Sequence, residues 1–296
     1  MEDNMNKVIW NVLDRHFAHV KYSVAGRDSE YVDWDRELKN LDNATFYSHT
    51  EMFKINELNT PKENSYGLIF ESRGIDLQTY SSVESLIPKF NKVFTHNSEY
   101  LKKYENCKWI PGGGIWVGGR SDTPHGEGEI KIQEKSKLCS MVSSNKQMCR
   151  GHMTRLVIMN LAYGNNKIDK FFGVGGPTDN SGWIPIFRSL KDYMFSIVIE
   201  NYVDDLYITE KILNCFATGT IPIYLGAPKM GSIFNEKGII QLVNIPSVED
   251  FNNMINNLSP EFYYERMDAI KENFEKCKQY KSIEDYIYLN YLQNSN

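Results

Sequence analysis

The feature that most limits how this chain can fold is an alternation that runs through it twice. Short apolar, β-branched or aromatic runs take turns with stretches whose apolar residues recur at helical spacing. In the first half, Lys7–Leu13, Tyr66–Phe70, Lys92–His96 and Lys108–Ile110 read as strands, with helices over Ser82–Phe90 and Ser98–Tyr104. An irregular stretch, Pro111–Glu129, follows and carries the triple Gly112–Gly114. The alternation then restarts. Lys137–Ser143, Phe195–Ile199, Thr220–Leu225 and Gly238–Val243 read as strands, and Arg150–Tyr163 and Thr209–Ala217 as helices. From Ser259 onward the chain is helical in character and rich in tyrosine. Repeated βα units favour parallel sheets covered by helices, so the pattern predicts an α/β protein of two Rossmann-like domains facing a central cleft. The expected division is residues 1–133 and 134–275, with a last helix at about 276–296 packing back onto the first domain. Open parallel sheets bind ligands beyond the carboxyl ends of their strands, which directs the search for chemistry to that cleft.

Composition narrows the partners. The 296 residues are 41% hydrophobic and 24% charged, enough apolar surface for real cores, and the formal net charge of -5 argues against a nucleic-acid partner. Five cysteines are scattered without Cys-x-x-Cys spacing, and the six histidines show no ligand spacing beyond the weak pair His16 and His19. Asp33-Trp34-Asp35 is formally an Asp-x-Asp motif, but Arg36 and Glu37 follow it, and it reads as a solvated helix start. No bound metal is expected. The start, MEDNMNKVIW, lacks the apolar run of a signal peptide, and no segment approaches the roughly 18 apolar residues that span a bilayer. A cytoplasmic protein is expected, with the tyrosine-rich tail as the one segment that suggests peripheral membrane contact. Neither Gly112–Gly114 nor Gly173–Gly176 has the G-x-G-x-x-G form of a dinucleotide site.

The richest stretch is Phe195–Pro228, FSIVIENYVDDLYITEKILNCFATGTIPIYLGAP. An apolar strand ends at Glu200–Asn201, a polar loop carries Asp204 and Asp205, and a helix opens near Thr209, a suitable N-cap. Helix N-termini present free N–H groups and partial positive charge, so they suit anions. Lys211 adds a full charge for a phosphate, and Glu210 can accept hydrogen bonds from a ribose diol.

This block resembles that of the α1,3-fucosyltransferase family (glycosyltransferase family 10), which has the form F-E-N, then Y-(I/V)-T-E-K, then G-T-(I/V)-P-(I/V)-x-x-G-x-P. Here it stands as IENYVDDLYITEK and GTIPIYLGAP. A second region, with Ser144–Asn145, an arginine opening a helix and Asp169–Gly173, is similar to the family's pattern, and its spacing favours Arg155 over Arg150. Farther upstream, YGLIFESR and FNKVFTHNS resemble the family's E-S-P and following strand, except that Arg73 replaces the proline. KWIPGGG is similar to the V-P-x-G that closes the family's first domain.

The resemblance implies a GT-B fold and an inverting transfer of L-fucose from GDP-fucose to a glycan hydroxyl. It places Arg155, Asn201, Tyr207, Glu210 and Lys211 in the donor pocket, with Arg155 and Lys211 on the diphosphate, and makes Glu71 the general base. The bland alternatives are a surface arginine, a solvated helix turn, a packed tyrosine and a Glu71–Arg73 ion pair. No tightly bound cofactor is implied, the GDP-sugar being a substrate; stimulation by Mn2+ through the diphosphate stays open. Two other functions remain: a transferase of the same fold using another GDP- or UDP-sugar, and a non-catalytic sugar-nucleotide or glycan-binding protein.

Overall fold

The computed structural model describes residues 7–14, 21–24, 26–120, 126–173, 178–179 and 182–293. Val174–Gly176 and the pair His16 and His19 lie outside these residues.

The first half forms a six-stranded, wholly parallel sheet in the order β2-β1-β3-β4-β5-β6. Its strands are β1 (Val8–Leu13), β2 (Val32–Asp35), β3 (Thr45–Ser48), β4 (Ser65–Ile69), β5 (Lys92–Thr95) and β6 (Cys107–Trp109). Helices α1 (Leu77–Ser82) and α2 (Ser98–Lys103) follow β4 and β5. Asp76 and Asn97 cap them, each accepting a backbone N–H three residues on. Two expectations fail here. Asp33–Asp35 is not a helix start but part of the edge strand β2, which pairs with β1 alone. An edge strand tolerates the acidic residues that would be costly in the sheet interior. The predicted helix over Ser82–Phe90 is α1 followed by a 3-10 turn at Glu84–Lys89, with Pro88 inside the turn.

The second half forms a five-stranded parallel sheet, order β13-β12-β11-β7-β8, from β7 (Lys137–Ser144), β8 (Ile168–Gly173), β11 (Tyr193–Ile199), β12 (Ile221–Leu225) and β13 (Ile240–Gln241). A two-residue antiparallel pair, β9 (Thr178–Asp179) and β10 (Gly182–Trp183), lies between β8 and β11 in the chain. The central strands of both large sheets are buried on two faces, which is why β11 and β12 read as continuous apolar runs. Helices α3 (Arg150–Tyr163) and α4 (Glu210–Thr218) follow β7 and β11. Gly219 closes α4 at φ +72, a left-handed position that suits glycine. From the outer strand in, the second sheet runs in chain order 2-1-3-4-5, so its connections reverse direction between β7 and β11, and a ligand crevice is expected at their carboxyl ends.

Helices α5 (Val248–Asn256), α6 (Pro260–Tyr264) and α7 (Met267–Cys277) lead to the short α8 (Ile283–Ile287). The start of α8 lies against the first half of the chain. Asp285 accepts hydrogen bonds from the Ser29 hydroxyl and the Glu30 N–H at 2.5 and 3.0 Å. Glu284, fully buried, accepts from the Ser23 N–H at 2.6 Å and the Trp34 indole at 2.8 Å. Tyr288 stacks on Tyr31. One apolar cluster runs through all these pieces: Trp10, Phe46 and Phe94 of the first sheet, Ile212 and Phe216 of α4, and Tyr286 of α8. Replacing Asp285 by Ala strands the buried donors around Ser29–Tyr31, and should lower unfolding stability by on the order of 2–4 kcal/mol, read from the urea midpoint.

Candidate active site

The loops at the carboxyl ends of β4, β7 and β11, with the N-terminus of α4, enclose a cleft of 410 Å³ between the two halves. Glu71, Arg155, Asn201, Tyr207, Glu210 and Lys211 all line it, although they come from both halves of the chain. A broader surface hollow of 610 Å³ sits at the opposite, amino ends of β4, β5 and β6, among Glu63, Asn91 and Asn106, and holds none of these groups.

The site is built around the junction of β11 and α4. Glu200, just after β11, is 2% exposed. It accepts hydrogen bonds from the Thr209 N–H at 3.2 Å and the Thr209 hydroxyl at 2.8 Å, and its Oε2 lies 3.2 Å from Lys211 Nζ. Thr209 caps α4 by accepting the Lys211 N–H. The Lys211 ammonium also donates to Thr209 Oγ1 at 3.0 Å and to Glu210 Oε1 at 2.9 Å. Burial alone would lower the Lys211 pKa, but the two carboxylates outweigh it and hold the pKa above the usual lysine value. Burial likewise opposes ionisation of Glu210, and Lys211 overcomes it, keeping that carboxyl below its usual value. Glu200 differs: burial is the larger influence there, and its pKa is raised.

Arg155, one and a half turns into α3, is 8% exposed, and its Nε and Nη2 have no hydrogen-bond partner. A desolvated guanidinium with two idle donors is costly unless a ligand supplies acceptors. Arg150, at the exposed first residue of α3, does not line the cleft. Asn214, one turn after Lys211, adds another idle donor, its Nδ2, while its Oδ1 accepts the Trp116 and Val117 N–H groups. His152 also lines the cleft, neutral, its pKa pushed down to about 4 by burial and by Arg155 and Lys211.

Across the cleft, Glu71 follows β4. Burial raises its pKa above the usual carboxylate range, against the pull of Lys211. It does not pair with Arg73, which turns instead to Glu99 at 2.8 Å and over the Tyr80 ring. The Glu71 backbone is held at both ends by histidines. Its N–H points at His49 Nε2 at 3.4 Å, and its carbonyl lies 3.2 Å from His96 Nε2. His49, the residue after β3, with φ +53, is itself fixed by Asp76 at 2.9 Å. Tyr207 is 1% exposed and packs on His96 with ring centres 4.3 Å apart. Asn201 accepts from the Ser72 hydroxyl at 3.0 Å, bridging the two walls. Glycine is required at Gly112, where a side chain would collide with the Tyr207 ring at 2.5 Å.

Sequence reasoning did not single out Glu200, Asn214, His49 or His96. Glu200 stands inside the IENY motif and His96 inside FNKVFTHNS, and both were legible there; Asn214 and His49 lack a local signal. Among the described residues no three His, Cys, Asp or Glu side chains are grouped to hold a metal ion. No helix among them is long and apolar enough to cross a membrane.

Two parallel α/β sheets facing a cleft, with cations gathered at a helix N-terminus, define the GT-B class of glycosyltransferase fold. The model of glycosyltransferase family 10 (fucosyltransferase), C-terminal part, matches residues 132–287, more than half of the chain, and the chain belongs to that family. It is 38% identical over 90 residues to the alpha-(1,3)-fucosyltransferase FucT of Helicobacter pylori. That match covers 30% of this chain and 18% of the relative, so it spans less than a fifth of the relative's length. A crystal structure of an α1,3-fucosyltransferase with GDP superposes with a TM-score of 0.53 at 13% identity, covering 100% of this chain and 93% of that one. A mutant of T4 phage BGT in complex with UDP-glucose superposes with a TM-score of 0.50 at 12% identity, covering 96% and 99%. At these identities the likeness is one of fold.

If the idle Arg155 donors await a ligand, removing them should relieve strain in the free protein. Arg155→Met is expected to raise ligand-free stability by about 1 kcal/mol or more while abolishing stabilisation by added GDP, both read by thermal unfolding.

Proposed function

We propose that this chain transfers L-fucose from GDP-fucose to a glycan hydroxyl with inversion at the anomeric carbon. The observation that carries the reading is Arg155, a buried guanidinium with two unpartnered donors in a family 10 cleft that also holds Lys211. In this reading residues 134–275 hold the donor, residues 1–133 face the acceptor, and the final helix joins the two. Arg155 grips the diphosphate as a fork, and Lys211, at the N-terminus of α4, neutralises the charge that grows as GDP leaves. Glu210 and Asn201 accept and position donor hydroxyls, and Tyr207 forms a wall of the pocket.

Glu71 serves as general base. It takes the proton of the acceptor hydroxyl as that oxygen attacks C1, in a single displacement without a covalent intermediate. Burial of Glu71 suits the role, because a carboxylate with a raised pKa is a stronger base. The histidines on its backbone fix where the carboxylate points. The base must be ionised, so turnover falls as pH drops through the raised Glu71 pKa, at a higher pH than an exposed glutamate would give.

Two measurements test the proposal. GDP-fucose and GDP should raise the melting temperature, by about 2.7 kcal/mol of stabilisation at a hundredfold excess over Kd, while UDP-glucose and UDP-xylose should not. A response to uridine nucleotides alone would keep the fold and change the donor. Glu71→Gln should keep the GDP-fucose thermal shift and lower turnover by about 10²–10⁴-fold; an active variant removes Glu71 from the base role, and no thermal response to any nucleotide turns the reading to a binding role.

A further inference from the structure

Lys211 is claimed twice. In the free protein it is the one cation in contact with Glu200 among the described residues, at 3.2 Å, and in the donor-site reading on which this inference rests it must also face a diphosphate. The two demands compete, because Glu200 cannot follow the ammonium into the cleft. The Glu200 side chain has no exposed surface and is fixed to the Thr209 N–H and hydroxyl at the mouth of α4. A carboxylate in that position that loses its counter-ion to an arriving dianion is left charged, dry and facing more negative charge.

We propose that Glu200 takes up a proton when the donor diphosphate draws Lys211 away, so that donor binding is coupled to proton uptake at this carboxyl.

The surroundings allow the exchange. Thr209 Oγ1, which now donates to Glu200, can accept from a protonated Glu200 instead and pass its own hydrogen to the other carboxyl oxygen. No bond other than O–H is made, and the proton comes from water. The other groups that face Glu200 are poorly placed for the role. Glu210 sits at the first position of α4, where the helix N-terminus favours the ionised form. Tyr207 and Tyr224 have pKa values well above the usual phenol range, chiefly through burial and then nearby carboxylates, so both are already protonated. Arg155, on α3, stays charged and turns to the diphosphate. Glu200 already lies above its usual pKa with Lys211 in place.

The consequence is a pH dependence opposite in sign to that of turnover. A complex that holds one more proton than its parts forms more tightly as pH falls. Turnover through Glu71 rises with pH, so donor affinity and chemistry pull in opposite directions.

Calorimetric titration of GDP-fucose into the full chain, without acceptor, in buffers of differing ionisation enthalpy counts the protons exchanged. The diphosphate of a nucleotide sugar does not itself titrate near neutrality, which makes GDP-fucose a better probe than GDP. The expected result is uptake approaching one proton per donor bound near pH 7. That uptake should persist in Glu71→Gln and His152→Gln and vanish in Glu200→Gln. Should Glu200→Gln fail to fold, Lys211→Met serves: its Glu200 has no cation and is protonated beforehand, so residual donor binding through Arg155 should proceed without uptake. Binding with no proton exchange in the unmodified chain, or exchange that survives in Glu200→Gln or Lys211→Met, overturns the inference while leaving the donor site intact. Absence of GDP-fucose binding overturns the donor reading itself, and the inference with it.

Discussion

The contact on which the site depends is the one between Glu200 and Thr209. It joins the end of β11 to the start of α4, so the strand that sets the floor of the cleft and the helix that points into it are fixed as one piece. Thr209 caps the helix, which leaves the Lys211 ammonium folded back beside the cap and Glu210 beside it. Each of these residues is ordinary by itself. Together they put a cation and two carboxylates within hydrogen-bonding distance of one hydroxyl or one another, in surroundings dry enough for charge to matter.

The opposite wall uses a different device. Glu71 follows a strand of the first sheet, and its peptide is tied at the N–H by His49 and at the carbonyl by His96. The His49 ring is oriented by Asp76, which also caps α1. Burial holds His96 at about pKa 4, so it bonds as a neutral ring at ordinary pH. Between the walls, Ser72 to Asn201 and the Gly112 N–H to the Ile208 carbonyl, at 2.7 Å, link the halves directly.

Much of this was legible in the sequence. The α/β class and the two-sheet arrangement follow from the repeated alternation, because fully buried parallel strands such as β11 and β12 leave an unbroken apolar signature. Strands β2 and β3 left a weaker one. VDWD carries two acids that only an edge position permits, and TFYS is four residues long with no flanking glycine or proline. Tyr207, Glu210 and Lys211 were visible because one loop and one helix turn carry them. Glu200 stood in the same motif and was passed over, since a carboxylate at a strand end reads as solvated until its burial is known. His49 could not be found by spacing, and His96, although it stands in FNKVFTHNS, gave no hint of its role. Their importance comes from distances to a backbone 22 and 25 residues away in the chain.

The apolar cluster that runs from Trp10 through Ile212 to Tyr286 belongs to neither half alone. Each half also owns a cluster of its own, around Tyr47 and Val93 in the first and around Met141 and Ile197 in the second, yet the seam between them is apolar as well. Here residues of α4, of the first sheet and of the tail share that one buried cluster. Severing the chain in the glycine-rich connection would therefore leave two fragments, each with an open apolar wound rather than a finished surface. Melting is expected to proceed as a single event, and the register between the walls of the cleft is maintained by the interior of the molecule and not by a hinge at its rim.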